Sequence, residues 1–114
     1  MAQTAGHDID YIAITGALHA MGDAGQPPML PLNLVGDYGG GALYLVAGIL
    51  AAYIEAGRSG KGQVVDAAIC DGAVSLMSLF HRLTADGEWS DRRGSNSLDG
   101  SAPFYRCYEC RDGR

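Results

Sequence analysis

The sequence contains few basic residues, and they form no stripe or cluster. Eight Lys and Arg residues are scattered among thirteen Asp and Glu residues, which gives a formal net charge of −5 at pH 7. Because nucleic acid is a polyanion, this charge predicts that the protein has no nucleic-acid partner. We also expect no targeting segment, and the three cysteines are an odd number. Both features favour reduced thiols and a cytoplasmic location.

Long apolar runs are absent as well. The most continuous one, over residues 42–52, has eleven residues, whereas a membrane span needs about 20. This length predicts a buried helix, and we expect no membrane partner.

Metal and nucleotide motifs are also missing. His7, His19 and His81 have no second ligand at a metal-binding spacing, and Cys107 and Cys110 lack the second ligand pair that zinc would need. The glycine runs match neither G-x-G-x-x-G nor a phosphate loop. The sequence therefore predicts no metal site and no bound nucleotide cofactor.

Short β-branched runs alternate with longer apolar runs along a chain of 114 residues, which is long enough for one core. The predicted elements are a strand over 11–15, a helix from about Asp37 to Ala56 with Gly57 as its stop, a strand over 63–66, a helix over 67–85 and a strand over 103–110. Strand and helix in alternation predict an α/β fold with a parallel sheet. Residues 86–101 are polar and predict a linker.

Asp37 stands at the expected start of the first predicted helix, where free amides and the helix dipole favour an anion. It can be a simple N-cap, which stabilises a helix by about 1 kcal/mol. The glycines that follow it, Gly39 to Gly41, each cost about 1 kcal/mol relative to alanine in a helix. Their presence favours a second interpretation, in which a ligand approaches the bare backbone there. His7, taken alone, is either an ordinary polar residue or a base.

Four motifs extend this interpretation along the chain. They are GHDIDY at 6–11, PLNLVGDYGGG at 31–41, GKGQVVDAA at 60–68, and Gly94 followed by LDG at 98–100. In order and spacing they resemble the α-methylacyl-CoA racemases, which belong to the wider group of family III CoA-transferases. The resemblance covers essentially the whole chain, so we expect the chain to be an internal part of a longer protein.

The resemblance implies a fold and a set of partners. It implies a Rossmann-like, parallel-sheet large domain, of which residues 1–85 would be the later part, and a linker with the start of a small domain over 86–114. It also implies an interlocked homodimer and an acyl-CoA thioester as substrate, with coenzyme A entering as part of that substrate and no separate cofactor.

The resemblance also assigns residues. The family's catalytic histidine and aspartate match His7 and Asp37, 30 residues apart, and a third catalytic residue, a glutamate, would lie beyond Arg114. We expect this pair to move the proton on the carbon beside the thioester, one residue on each face. The backbone of Asp37, Tyr38, Gly39 and Gly40 is predicted to bind the substrate and its enolate oxygen.

Two alternatives stay open. A family III CoA-transferase would use Asp37 as the nucleophile that accepts the acyl group, although such enzymes do not typically keep a histidine in the Gly-His-Asp-Ile context of Gly6 to Ile9. The third possibility is an inactive structural or interaction module. We also expect the 114 residues to be inactive without the rest of the protein.

Overall fold

Every regular element in the structure, a computed structural model that describes residues 3–113, is helical. The elements are α1 (Asp8–Ile14), α2 (Ala17–Ala20), a π-helix (Leu34–Ala42), α3 (Leu43–Ser59), α4 (Ile69–Leu76) and α5 (Ser78–Ala85). The predicted α/β fold with a Rossmann-like parallel sheet is therefore wrong for residues 3–113, which contain no strand. The division of the chain into a large-domain part over 1–85 and a linker with the start of a small domain over 86–114 stays a prediction. Residues 1, 2 and 114 of these two segments lie outside the described part of the chain.

The first predicted strand is instead the second half of α1. Asp8 and Asp10 lie in the first turn of this helix, where carboxylates interact favourably with the helix dipole. The His7 amide donates to Asp10 Oδ2 at 2.9 Å, which satisfies an amide that the helix leaves free. Ile12 is fully buried on the inner face. These helix-start contacts outweigh the β-branched character of residues 11–15.

The other two predicted strands have no regular structure. Residues 61–68 are irregular, with Val64 93% exposed, and residues 103–110 form turns and irregular backbone. A strand needs a neighbour to receive its backbone hydrogen bonds. Nothing within residues 3–113 pairs with either segment, so neither becomes part of a sheet.

The π-helix and α3 run on as one helical segment from Leu34 to Ser59. The predicted helix is present, but it begins three residues before Asp37, does not stop at Gly57 and, within residues 3–113, is not buried over α3 as predicted. Its first turn is wide, because the Tyr38 amide donates to the Asn33 carbonyl at 3.2 Å, five residues back. Its end is at Gly60, whose φ of 71° is a left-handed conformation that favours glycine.

The π-helix packs directly on α4 through glycine. A Cβ placed on Gly72 would lie 2.7 Å from Gly40 Cα, and one placed on Gly40 would lie 2.9 Å from the Ala73 amide nitrogen. Backbone therefore meets backbone at this crossing, and no side chain fits between the helices. The helix predicted over 67–85 is also present, although it is divided at Met77 into α4 and α5.

Little apolar surface is buried within residues 3–113. The buried apolar residues are Ile12, Ala17 and Ala73, and no residue of α3 is buried. The accessible surface is 8639 Å², compared with about 6,000 Å² for a compact protein of this mass. The radius of gyration is 18.0 Å, whereas a compact chain of this length has about 13 Å. The apolar side chains of α3 are thus exposed within the described part of the chain.

The segment from Leu34 to Ser59 has 26 residues and is apolar enough to cross a membrane by length and composition alone. A core helix of a soluble protein meets the same criteria. The expected absence of a membrane partner stays a prediction.

Hydrogen bonds to the Asp99 carboxylate hold together the polar segment that follows α5. The buried Asn96 side chain donates to Asp99 Oδ2 at 2.7 Å, and the amides of Gly94 and Asn96 each donate to the same carboxylate at 2.8 Å. Burial raises the pKa of Asp99, but these hydrogen bonds lower it more, so the pKa lies below its ordinary value of 3.8.

Because folding lowers the Asp99 pKa, the ionised carboxylate stabilises the fold at any pH above its ordinary pKa. This stabilisation is lost as the pH falls through the lowered pKa of the folded protein. We expect Asp99→Asn to lower the melting temperature of the complete protein at pH 7. The difference from wild type should begin to shrink as the pH falls below about 4, where the carboxylate of the unfolded chain is protonated first, and should vanish only below the lowered native pKa. Thermal unfolding of both proteins between pH 3 and pH 7 measures this, and an unchanged difference across that range would contradict it.

Candidate functional site

His7 is the N-cap of α1, and it is exposed. Its backbone is extended, with φ −122° and ψ 167°, which ends the preceding loop and turns the chain into the helix. The position directly before the first helical turn fixes the backbone from which the imidazole projects. His7 is thus well placed on a defined backbone and accessible to a ligand.

Asp37 lies in the first turn of the π-helix, and it is exposed too. Its amide donates a hydrogen bond of 2.6 Å to Oδ2 of Asp8. Asp8 is the chain neighbour of His7, and the two Cα atoms are about 3.8 Å apart by covalent geometry. This bond brings the start of α1, with His7, against the turn that carries Asp37.

The other residues of the predicted substrate-binding stretch have different environments. Tyr38 is 56% exposed and Gly39 is half-buried. Gly40 is buried against α4. Packing against α4 accounts for the bare backbone of Gly40 and its neighbour Gly41, and the approach of a ligand to these glycines stays a prediction.

Two of the amides predicted to bind the enolate oxygen have acceptors within the chain. The Asp37 amide donates to Asp8, as described, and the Tyr38 amide donates to the Asn33 carbonyl. The role of this stretch in binding the substrate stays a prediction.

An apolar cavity of about 480 Å³ lies beside the π-helix. Val35, two residues before Asp37, is part of its wall. Apolar side chains from α4, α5, the loop that precedes the π-helix and the segment that follows α5 complete the wall. These include Met21, Met29, Leu76, Met77, Phe80, Trp89 and Leu98. The cavity suits an apolar group of moderate size.

Arg93 joins the segment after α5 to α2 and the loop that follows α2, and residues of all three line this cavity. Its guanidinium donates to the carbonyls of His19 at 2.8 Å and Asp23 at 3.3 Å, and also to the carbonyl of Gln26. A further bond of 2.9 Å links the His19 ring to Asp91. Residues 91–93 are thereby held against residues 19–26.

Asp8 and Arg93 are the residues that the motifs of the sequence did not single out. Asp8 lies inside the GHDIDY motif, but nothing in that motif indicates that its carboxylate meets residue 37. Arg93 lies in a polar stretch that predicts only a linker. Each acts through a contact to residues far away in the chain, and such contacts leave no local pattern.

Within residues 3–113 no three His, Cys, Asp or Glu side chains are grouped so that they could hold a metal ion. Cys107 and Cys110 are exposed and Cys70 is half-buried, all as free thiols. The chemistry available at the contact between α1 and the π-helix is thus that of an imidazole and carboxylates.

Comparison of the sequence with known proteins identifies the family of this chain. Residues 1–114 match the family described as CoA-transferase family III. The alpha-methylacyl-CoA racemase of Mus musculus is 45% identical over 112 residues, which cover 98% of this chain and 29% of that protein. The protein of the same name from Homo sapiens is 44% identical over 109 residues, covering 96% and 28%. A succinyl-CoA:mesaconate CoA-transferase from Haloarcula hispanica is 37% identical over 107 residues, covering 93% and 26%.

The chain spans less than a third of the length of these relatives. The resemblance indicated by the four sequence motifs is confirmed by a match over the whole chain and by identities well above 30%. The chain belongs to the CoA-transferase family III.

Proposed function

We propose that the complete protein is an acyl-CoA racemase, which inverts the carbon beside the thioester of 2-methylacyl-CoA substrates. The contact between Asp8 and the Asp37 amide carries this proposal, because it places His7 and Asp37, both exposed, on adjoining helix starts. Two relatives named as alpha-methylacyl-CoA racemases support it.

The reaction needs two acid/base groups. One group removes the proton from one face of the α-carbon, and the other returns a proton to the opposite face. In the proposal His7 serves one face and Asp37 the other, and they exchange roles with the direction of reaction. A positioned acid or base of this kind accelerates proton transfer by about 10²- to 10⁴-fold.

The enolate formed between the two steps needs a hydrogen-bond donor. A preorganised donor at such an oxygen lowers the barrier by about 3 to 4 kcal/mol. In the stretch from Asp37 to Gly40, Tyr38 is exposed and has a hydroxyl that can donate, whereas Gly40 is buried. The apolar cavity that begins at Val35 can receive a hydrocarbon chain.

Deuterium incorporation tests the proposed reaction. The complete natural polypeptide that contains this chain is incubated in heavy water with each pure epimer of a 2-methylacyl-CoA. We expect deuterium at the α-carbon of both recovered epimers, measured by mass spectrometry and NMR. A complete, folded protein that binds the thioester but leaves the α-proton in place would refute the racemase.

CoA transfer is the second candidate, favoured by the transferase from Haloarcula hispanica at 37% identity. In that reaction the Asp37 carboxylate attacks the thioester carbonyl, forms a mixed anhydride and releases the coenzyme A thiolate. Hydroxylamine would then trap the acyl group as a hydroxamate, and coenzyme A would move to a free carboxylic acid. For a racemase we expect neither product.

A further inference from the structure

We propose that Asp8 is a positioning residue that sets the spacing of His7 and Asp37 for proton transfer. This inference rests on the proposed racemase function, since it concerns the same two groups. Asp8 itself is not expected to touch the substrate. Its carboxylate links the two backbone segments from which the acid and the base project.

The hydrogen bond from the Asp37 amide to Asp8 Oδ2 is short, at 2.6 Å, and its acceptor carries a charge. Bonds of this type are about twice as strong as those between neutral groups. Within residues 3–113 it is the one hydrogen bond that joins α1 to the π-helix. Asp8 is half-buried but the bond is exposed, so its strength rests on the charge of the acceptor and the short distance.

Gly36 provides the space that the Asp8 carboxylate occupies. A Cβ added at Gly36 would lie 2.6 Å from Asp8 Cγ and 3.0 Å from Oδ1, and closer still to Oδ2. All three nearest atoms are thus those of one carboxylate. The missing side chain at residue 36 and the carboxylate at residue 8 form one fitted contact, directly before Asp37.

This contact matters for proton transfer because acid and base must stand on opposite sides of one carbon. Reacting atoms need to approach within about 3 to 3.5 Å, and a displacement of 1 Å can lower the rate by about 100-fold. His7 follows any shift of Asp8, since the two are covalently joined. A bond at the Asp37 backbone therefore controls the gap between the two side chains.

The test uses the complete protein and substitutions at residue 8. Asp8→Ala should lower kcat for α-proton exchange roughly 10- to 100-fold, the range for loss of one charge-assisted hydrogen bond, with KM nearly unchanged. Asp8→Asn retains an oxygen acceptor and should recover most of the lost rate. A purely structural role would instead lower the fraction of folded protein, so kcat is calculated per folded molecule from the circular dichroism signal; on that scale a variant that is only less stable keeps the wild-type kcat.

Gly36→Ala disrupts the same contact between residue 36 and the Asp8 carboxylate, but by a change at residue 36. In the wild-type background the new methyl group displaces the carboxylate, so kcat should fall about as far as in Asp8→Ala. In the Asp8→Ala background the methyl meets no carboxylate, so adding Gly36→Ala should change kcat by less than about twofold. Gly57→Ala is the matched control, because nothing lies within 4 Å of a Cβ at residue 57.

Each outcome decides the matter. Non-additive losses in kcat, with rescue by asparagine, support the positioning role. Full activity of Asp8→Ala, or additive losses in the double variant, would overturn it while leaving the racemase intact. A wild-type protein without α-proton exchange would remove the proposed function first, and the role of Asp8 with it.

Discussion

Replacing His7 with alanine should lower the rate of α-proton exchange by about 10²- to 10⁴-fold for one epimer of the substrate. The reason is geometric, because His7 is proposed to face only one side of the α-carbon. The other epimer presents its proton to Asp37, so it should still exchange, but without inversion. Deuterium incorporation and chirality of the recovered thioester, measured separately for each epimer, check this result.

Asp37→Asn should produce the mirror result. The epimer that exchanges in His7→Ala should stop exchanging, and the one that stops there should continue. His81→Ala is the control, since His81 is an exposed histidine on α5, and its loss should change neither rate. If both substitutions leave both epimers exchanging at the wild-type rate, the assignment of His7 and Asp37 is wrong.

Gly72→Ala should be the most destabilising small substitution in the described part of the chain. Its methyl group would lie 2.7 Å from Gly40 Cα and closer to the Gly40 carbonyl oxygen, so the π-helix and α4 must separate. Overpacking in a tight core usually costs about 1 to 3 kcal/mol, and here backbone rather than a movable side chain is in the way. We therefore expect a loss of at least about 3 kcal/mol, measured as a shift of the urea unfolding midpoint of the complete protein.

Gly57→Ala is the matched helical control for this substitution. Residue 57 lies inside α3, and a Cβ there meets nothing within 4 Å. Alanine is the better helix former, so this variant should be unchanged or more stable by about 0.5 to 1 kcal/mol. Equal stability of Gly72→Ala and Gly57→Ala would show that the two helices are not in backbone contact at Gly40.

The helices from Leu34 to Ser59 and from Ile69 to Ala85 were predictable because an apolar run or a three-to-four spacing is a local property of the chain. The strands were not, because the same β-branched residues fit a helix when acidic residues begin it, as Asp8 and Asp10 do in α1. A strand is a property of two segments, and residues 61–68 and 103–110 find no partner within the described chain. The parallel sheet therefore failed as a prediction for a physical reason.

The candidate site shows the same division. His7 and Asp37 could be named from motifs that resemble a family, and that family is confirmed. Their relation in space depends on Asp8, whose hydrogen bond to residue 37 spans 29 positions. The glycines after Asp37 suggested a ligand, and the structure adds a second reason for Gly40 and Gly41, since both pack closely against α4.

The sequence by itself determined the family, the main helices and the candidate acid and base, since each follows from residue types at nearby positions. Only the tertiary structure decided that Gly40 and Gly72 serve helix packing and that Asp8 connects the two halves of the site. These features depend on contacts between distant segments, where the available space and the hydrogen-bond partners are set by the fold.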